Sequence, residues 1–371
     1  MKTTRISVIS VLVLVAALLA GTANADFTLG EPTNLGPTIN SSRGDAPDCF
    51  SSDGLEMYFD SDRSGGYGNW DIWVARRPTI DDDWGLPENL GPKVNSPQTD
   101  SCACISFDGL NLYFGSPRSG GYGNEDIWMT TRETRDAEWG TPVNLGPVVN
   151  SSSGEGHPWI SSDELELYFF AWRSDGFGKA DIWVTTRATK DDPWGEPVNL
   201  GPVVNSSFYE GYPCVSVDGL ALFFSEQLGG PYRPDGFGDS DMWVSRRASI
   251  FDPWGTPVNL GPMVNSSSHD CGPRISPDGS MLYFCSERPG GFGGTYGDMY
   301  QAPIIPIVDF NADGAVDLAD VKALVDHWGT SDSLYDIGPT PMGDGIVDAQ
   351  DLLVLTEHIL VGDSKGNRMD M

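Results

Sequence analysis

Short runs of alternating apolar and polar residues recur along this chain in a fixed frame. SSDGLEMYF starts at Ser51, SFDGLNLYF at Ser106, SSDELELYF at Ser161, SVDGLALFF at Ser216 and SPDGSMLYF at Ser276. A glycine-rich turn follows each, and then DIW, DMW or DMY at Asp71, Asp126, Asp181, Asp241 and Asp298. The first four copies go on to WGxPxNLGPxVN, from Trp84, Trp139, Trp194 and Trp254. Alternation with period two, aromatic enrichment and Gly/Pro/Asn/Asp punctuation predict strands rather than helices. Each repeat reads as four: one leading into the Asp-Gly turn, the alternating run after it, the DIW run and the NLGP segment. The Asp-Gly pairs suit tight turns, because glycine accepts positive φ at little cost.

The period fixes the architecture. Asp53, Asp108, Asp163 and Asp218 are 55 residues apart, and Asp278 follows after 60. A repeat of that length signals a propeller, solenoid or array, and four strands per repeat select a β-propeller. The fifth copy stops at Asp298-Met299-Tyr300 without its NLGP strand, while residues 29–40 (LGEPTNLGPTIN) carry that strand alone. The expected fold is therefore mainly β. It is a five-bladed β-propeller closed by an N-terminal strand and followed by a small α-helical calcium-loop domain.

SPDGSMLYF, the pattern SxRxGGxGxxDIW and the arginine after it resemble the TolB-like, WD-like propeller repeats of exported bacterial proteins. The resemblance covers residues 27–305. It implies the fold and leaves function open, since such propellers host binding, scaffolding and enzymatic roles alike.

Residues present in every blade read as packing. Trp73, Trp128, Trp183 and Trp243 (Tyr300 in the last copy) and the aspartate opening each DIW belong to this class, the aspartate accepting bonds from the glycine-rich turn. A further repeated carboxylate, Asp45, Asp100, Glu155, Glu210 and Asp270, stands on each first strand. With the first strands innermost, these five ring one mouth of the axial channel. They then either pair with backbone N–H groups and the recurring Arg63, Arg118, Arg173 and Arg288, or hold a cation or polar ligand. Glu155 and Glu210 are the weak catalytic candidates. Departures from the repeat gather in blades three and four: His157, Trp159, Phe170 and Trp172, then Phe208, Tyr209 and Tyr212. Aromatic faces beside carboxylates suit sugar rings, so His157, Trp159, Trp172, Tyr209 and Tyr212 join the five acids as candidate ligand contacts. The extra residues of EQLGGPYRPDGFG replace the recurring arginine in blade four.

Composition adds an export signal. Lys2 and Arg5 precede an apolar run at 6–20, and Ala23-Asn24-Ala25 is a small-x-small site, so cleavage of a signal peptide 1–25 and a secreted or surface-associated protein are expected. The run is short for a bilayer span. A net charge of −31 disfavours nucleic acid and anionic lipid as partners. Six cysteines in an exported chain permit disulfides. Cys271 and Cys285 flank the Pro277-Asp278-Gly279 turn and are expected to bridge. Cys49 faces two possible mates, Cys102 and Cys104, and Cys214 has none.

After residue 306 the composition shifts, with 13 acids against 3 Lys/Arg from Asp309 onward. Asp309, Asn311, Asp313, Ala315, Asp317 and Asp320 fall at calcium-loop positions 1, 3, 5, 7, 9 and 12, with Gly314 at the turn. Leu318, Val321, Leu324, Val325 and Trp328 then line one helical face. A second copy lies 31 residues on, eroded at its start: Thr340, Asp344, Ile346, Asp348 and Asp351. Asp336 stands upstream of it. The two loop-plus-helix units resemble a type I dockerin over residues 309–361. That resemblance implies Ca2+ as cofactor and a cohesin-like or other protein partner, read by Leu318, Ala319, Ala349 and Gln350. Residues 362–371 read as a tail.

Two functions follow from the sequence. One is an exported binding or scaffold protein whose propeller takes a glycan or protein ligand. The other is a glycoside hydrolase or lyase working with channel carboxylates.

Overall fold

The computed structural model describes residues 27–226, 230, 232–292, 297–310, 316–332 and 334–365. Two short strands open the chain, β1 (Phe27–Leu29) and β2 (Thr33–Asn34). Blade one is β3 (Asp45–Phe50), β4 (Glu56–Ser61), β5 (Asp71–Arg76) and β6 (Glu88–Asn89). Blade two is β7 (Ser101–Ile105), β8 (Asn111–Ser116), β9 (Asp126–Thr131) and β10 (Val143–Asn144). Blade three is β11 (Glu155–Ile160), β12 (Glu166–Ala171), β13 (Asp181–Thr186) and β14 (Val198–Asn199). Blade four is β15 (Glu210–Val215), β16 (Ala221–Glu226), β17 (Met242–Arg246) and β18 (Val258–Asn259). Blade five is β19 (Asp270–Ile275), β20 (Met281–Ser286) and β21 (Asp298–Pro306).

Each blade is an antiparallel meander, and the five form a β-propeller. Each first strand packs on the next, and β19 packs on β3, so the first strands line the axis. The ring is sealed as the repeat count requires. Thr33 and Asn34 pair with Gln301 and Tyr300, where Asn89, Asn144, Asn199 and Asn259 pair with Trp73, Trp128, Trp183 and Trp243. Phe27–Leu29 adds a second pairing along the outer end of β21.

The repeated polar residues form a scaffold. Asp71 accepts the N–H of Tyr67 at 2.5 Å and of Gly68 at 2.8 Å, and the side-chain amide of Asn89 at 2.9 Å. Asn95 then substitutes for a strand residue: its Oδ1 takes the N–H of Ile72 and its Nδ2 gives to the Ile72 carbonyl. Both motifs recur around the ring, for example at Asp181 with Asn199 and at Asn205 with Ile182. Buried backbone groups at the blade edge are thereby satisfied without a longer fourth strand.

Helices α1 (Leu318–Asp326) and α2 (Ala349–Lys365) follow the propeller. Asp317 caps α1 in a capping box with Asp320. Leu324, Ile337, Val347 and Leu355 form their shared core, backed by Val321, Leu352 and Ile359. Of the residues expected on one helical face, Val321 and Leu324 pack in this core, while Leu318, Val325 and Trp328 are exposed. Among the described residues no helix is long and apolar enough to cross a membrane. The expected signal peptide, residues 1–25, lies outside the described residues.

Candidate functional site

The five ring carboxylates take the paired alternative. Asp45, Asp100, Glu155, Glu210 and Asp270 are fully buried, and each meets an arginine of its own blade. Arg63 touches Asp45 at 2.5 Å, Arg173 touches Glu155 at 3.2 Å and Arg288 touches Asp270 at 3.0 Å. Backbone N–H groups of Ser41, Ser96, Ser151 and Ser266 bind four of the acids, and the Ser206 hydroxyl binds Glu210. Held in this way, they lock the strand entering each blade; of their buried oxygens only Oε2 of Glu210 is left without a hydrogen-bond partner. Blade four keeps its arginine after all: Arg233 reaches Glu210 at 3.1 Å and the Val204 carbonyl at 2.5 Å. The insertion moved that arginine along the sequence without moving it in space. Glu155 and Glu210, the weak catalytic candidates, are both buried and ion-paired.

The individual chemistry lies on the axis. Midway along each first strand the register slips by a bulge. At this level stand Pro47, Cys102, His157, Tyr212 and Gly272, with Asp48 the unpaired residue of blade one. Cys102, His157 and Tyr212 have φ of +56°, +50° and +55°, and Gly272 has +64°. A non-glycine residue there costs about 1–2 kcal/mol, and strain of this kind gathers at functional sites. These residues surround an axial cavity of about 270 Å3 to which all five blades contribute. Asp48, Asp60, His269, Cys271, Cys285 and the exposed Glu287 complete its reactive lining.

Arg274 forms the floor. Its side chain is fully buried, gives Nε to the Asp48 carbonyl and Nη1 to the carbonyls of Tyr212 and Pro273, and lies over Trp159. Below it the channel is apolar, walled by Cys49, Cys104, Trp159, Val215 and Ile275. Thr340 and Met342 of the C-terminal segment sit against Gly279 at this lower mouth.

Burial sets the protonation states. It pushes Asp48 up to about 6. Asp60 goes well above the usual carboxylate range through burial and the neighbouring Asp48 charge. His157 is held well below its ordinary value by burial and by Arg274. Its Nδ1 accepts the Tyr212 N–H at 3.2 Å, and its ring lies against Tyr212, tilted by 32°, with centroids 3.8 Å apart. Burial alone would lower His269, but the adjoining Cys271 takes it up to about 9. A hydrogen bond from Cys285 and the His269 charge bring Cys271 down to about 5.

Of the aromatic candidates, only His157 and Tyr212 line this cavity. Trp159 faces the lower mouth, where its Nε1 gives to the Val215 carbonyl at 3.1 Å. Trp172 packs edge-on against Phe170, and Tyr209 lies under Lys179. The expected disulfide is not formed, and none of the six cysteines is in a disulfide, although Cys271 and Cys285 oppose one another in register. A larger hollow, about 560 Å3 between blades one and two, is a surface groove whose charges pair with one another, as Arg76 does with Glu56 and Glu88. It offers less chemistry than the axis.

Asp48 and Asp60 went unremarked in the sequence, though a signal was present. At the Asp60 position the other blades have Gly115, Phe170, Ser225 and Cys285; at the Asp48 position they have Ala103, Pro158, Pro213 and Pro273. Positions where the repeats disagree mark the wall of the cavity.

In the C-terminal segment, Asn311, Asp313 and Ala315 lie outside the described residues, so the first calcium set is only partly placed. Asp320 accepts the N–H of Phe310 at 2.8 Å and of Asp317 at 2.9 Å. Asp351 does the same in the second loop, from Ile337 and Asp348, each at 2.6 Å. Asp336 is thus the counterpart of Asp309 and opens the second loop, where Thr340 was expected. Thr340 instead gives its hydroxyl to the Gly343 carbonyl. Asp344 and Ile346 are exposed, and Asp348 accepts the Gln350 N–H at 2.8 Å. Leu318, Ala319, Ala349 and Gln350 are all exposed.

No family model and no curated protein matches the chain. Solved structures do. TolB from Acinetobacter baumannii is 14% identical, with 78% of this chain and 67% of that one covered and a TM-score of 0.45. An alpha-L-arabinofuranosidase from Lactobacillus brevis is 16% identical, over 69% and 89%, at 0.45. A thermostable family-43 glycoside hydrolase is 13% identical, over 75% and 89%, at 0.45. At such identities and scores these likenesses assign no activity. The fold rests on the strand pairing itself.

Proposed function

We propose that this is an exported binding protein whose propeller takes a small, hydroxyl-rich ligand of the sugar class in the axial cavity. One observation carries the reading: the cavity is walled by the positions at which five otherwise similar blades differ, while the positions they share are consumed in packing. Carboxyl, imidazole and phenol groups around one cavity suit hydroxyls, and the tilted His157–Tyr212 pair offers an apolar edge. In this reading the C-terminal segment binds Ca2+ through Asp309, Asn311, Asp313, Ala315, Asp317 and Asp320, and through Asp336, Asp344, Asp348 and Asp351. It docks to a cohesin-like or other protein through Leu318, Ala319, Ala349 and Gln350.

The second reading is a glycan-active enzyme. It is favoured by two carboxyls, Asp48 and Asp60, on the wall of one cavity with Glu287 at its rim. Against it, carboxylate oxygens of Asp48 and Asp60 lie within 4.8 Å of one another, whereas glycosidase carboxyls stand about 5–10 Å apart.

The full chain, tested on a glycan array and then by calorimetry with the best oligosaccharide, decides between them. Tyr212→Gly keeps the backbone conformation that Gly272 adopts in blade five and removes the ring. It is expected to weaken binding at least tenfold. Unchanged binding in that variant overturns the cavity assignment. Hydrolysis of the bound glycan, abolished by Asp60→Asn, replaces the binding reading with the enzymatic one.

A further inference from the structure

The wall between blades one and two holds a convergence that ligand binding does not explain. A carboxylate oxygen of Asp48, a carboxylate oxygen of Asp60 and Sγ of Cys102 all lie within 4.8 Å of one another. The residues are 1%, 7% and 5% exposed. Oδ2 of Asp48 is buried and has no hydrogen-bond partner. Burying a carboxylate oxygen without a donor costs free energy that a protein ordinarily avoids. The cation that acts on both acids, Arg274, spends its bonds on three backbone carbonyls. The thiol, in turn, is held on a left-handed residue, at φ +56°.

We propose that Asp48, Asp60 and Cys102 form a three-ligand site for a divalent transition metal of the zinc class, with its fourth position open to the axial cavity. The donor set selects the ion. Two carboxylate oxygens and one thiolate suit zinc and its neighbours, whereas calcium and magnesium take oxygen throughout. Ligand atoms around a tetrahedral zinc are about 3.3–3.7 Å apart, given bonds of about 2.0–2.3 Å, so a contraction of about 1 Å closes the site. His157 does not supply the fourth ligand. Its Nδ1 is occupied by the Tyr212 N–H, which leaves the proton on Nε2. Three protein ligands and one open position are the arrangement of zinc sites that bind or activate a small molecule. The site stands independently of the glycan reading, because metal binding is measured without any sugar.

The test uses the full chain, stripped with chelator and titrated with Co2+ in excess Ca2+, which saturates the acidic C-terminal loops. One equivalent of Co2+ is expected to produce a thiolate-to-cobalt charge-transfer band, which Zn2+ then bleaches. Cys102→Ser abolishes the band and Asp48→Asn weakens binding at least tenfold, while Cys214→Ser leaves both unchanged. Cys102→Gly, which adopts the local backbone without strain, gives the same loss and guards against misfolding of the serine variant. No band in the unaltered protein, or a band that survives both Cys102 substitutions, overturns the proposal.

Discussion

Arg233 meets the Glu210 carboxylate at 3.1 Å from the far side of an insertion that lengthens blade four from 55 to 60 residues. The corresponding arginine is 18 residues beyond its acid in blades one and five, and 23 residues beyond it here. The loop has been rebuilt around the ion pair. Burial already raises Glu210 above the usual carboxylate value. Removing its partner by Arg233→Ala is expected to cost about 3 kcal/mol or more, seen as a lower midpoint in urea unfolding. An unaltered midpoint refutes the structural role of the ring pairs.

Glu164 takes the place of the turn glycine found at 54, 109, 219 and 279, with φ of +62°. Its buried carboxylate is held by Lys190 at 2.7 Å and faces Arg187 at 3.9 Å. Glu164→Gly loses those contacts and relieves the strain; Glu164→Ala loses them and keeps it. The glycine variant is therefore expected to be more stable than the alanine variant by about 1 kcal/mol. Thermal unfolding of the pair measures the difference.

Glu125 is half-buried, and desolvation followed by the nearby Asp126 and Glu155 charges raises it from 4.5 to about 7. The folded state then holds a proton that the unfolded chain releases between those values. Stability from this group is full below about pH 4.5 and falls as the pH rises towards 7. Glu125→Gln is expected to remove that dependence and to exceed the parent by up to about 3 kcal/mol above pH 7. Urea unfolding at pH 5 and pH 8 checks the sign.

The second acidic loop opens at Asp336, whose carboxylate takes the N–H groups of Asp344 at 2.9 Å and Gly345 at 2.6 Å. Calorimetry with calcium is expected to show weaker binding at this loop in Asp336→Asn and none of that loss in Thr340→Ala. The opposite result would restore the register that simple spacing suggests.

The sequence made the propeller legible because it states the same structural sentence five times, and the closure by residues 29–40 followed from one missing strand. The roles of Asp71 and its counterparts followed too, since a carboxylate beside a glycine turn has few other uses. The axial site was less legible. Attention to repeated acids pointed to Asp45 and its kin, yet repetition itself meant pairing with a repeated arginine. Asp48 and Asp60 are adjacent only because β3 and β4 pair antiparallel across a bulge, and a bulge leaves no mark in hydropathy. Trp159 and His157 are two residues apart but reach opposite ends of the channel, on either side of Arg274.

The pairing of Asn34 with Tyr300 joins residues 266 positions apart, whereas Asn89 and Trp73 are 16 apart. Four blades are thus local assemblies, and the fifth waits for both ends of the ring to exist. Its closure is the step with the largest loop entropy. A permuted propeller in which residues 27–40 follow β21 directly would make all five blades contiguous while leaving every strand pair in place. Its folding would quicken without any new contact, because the ring's slowest seam would have become a hairpin.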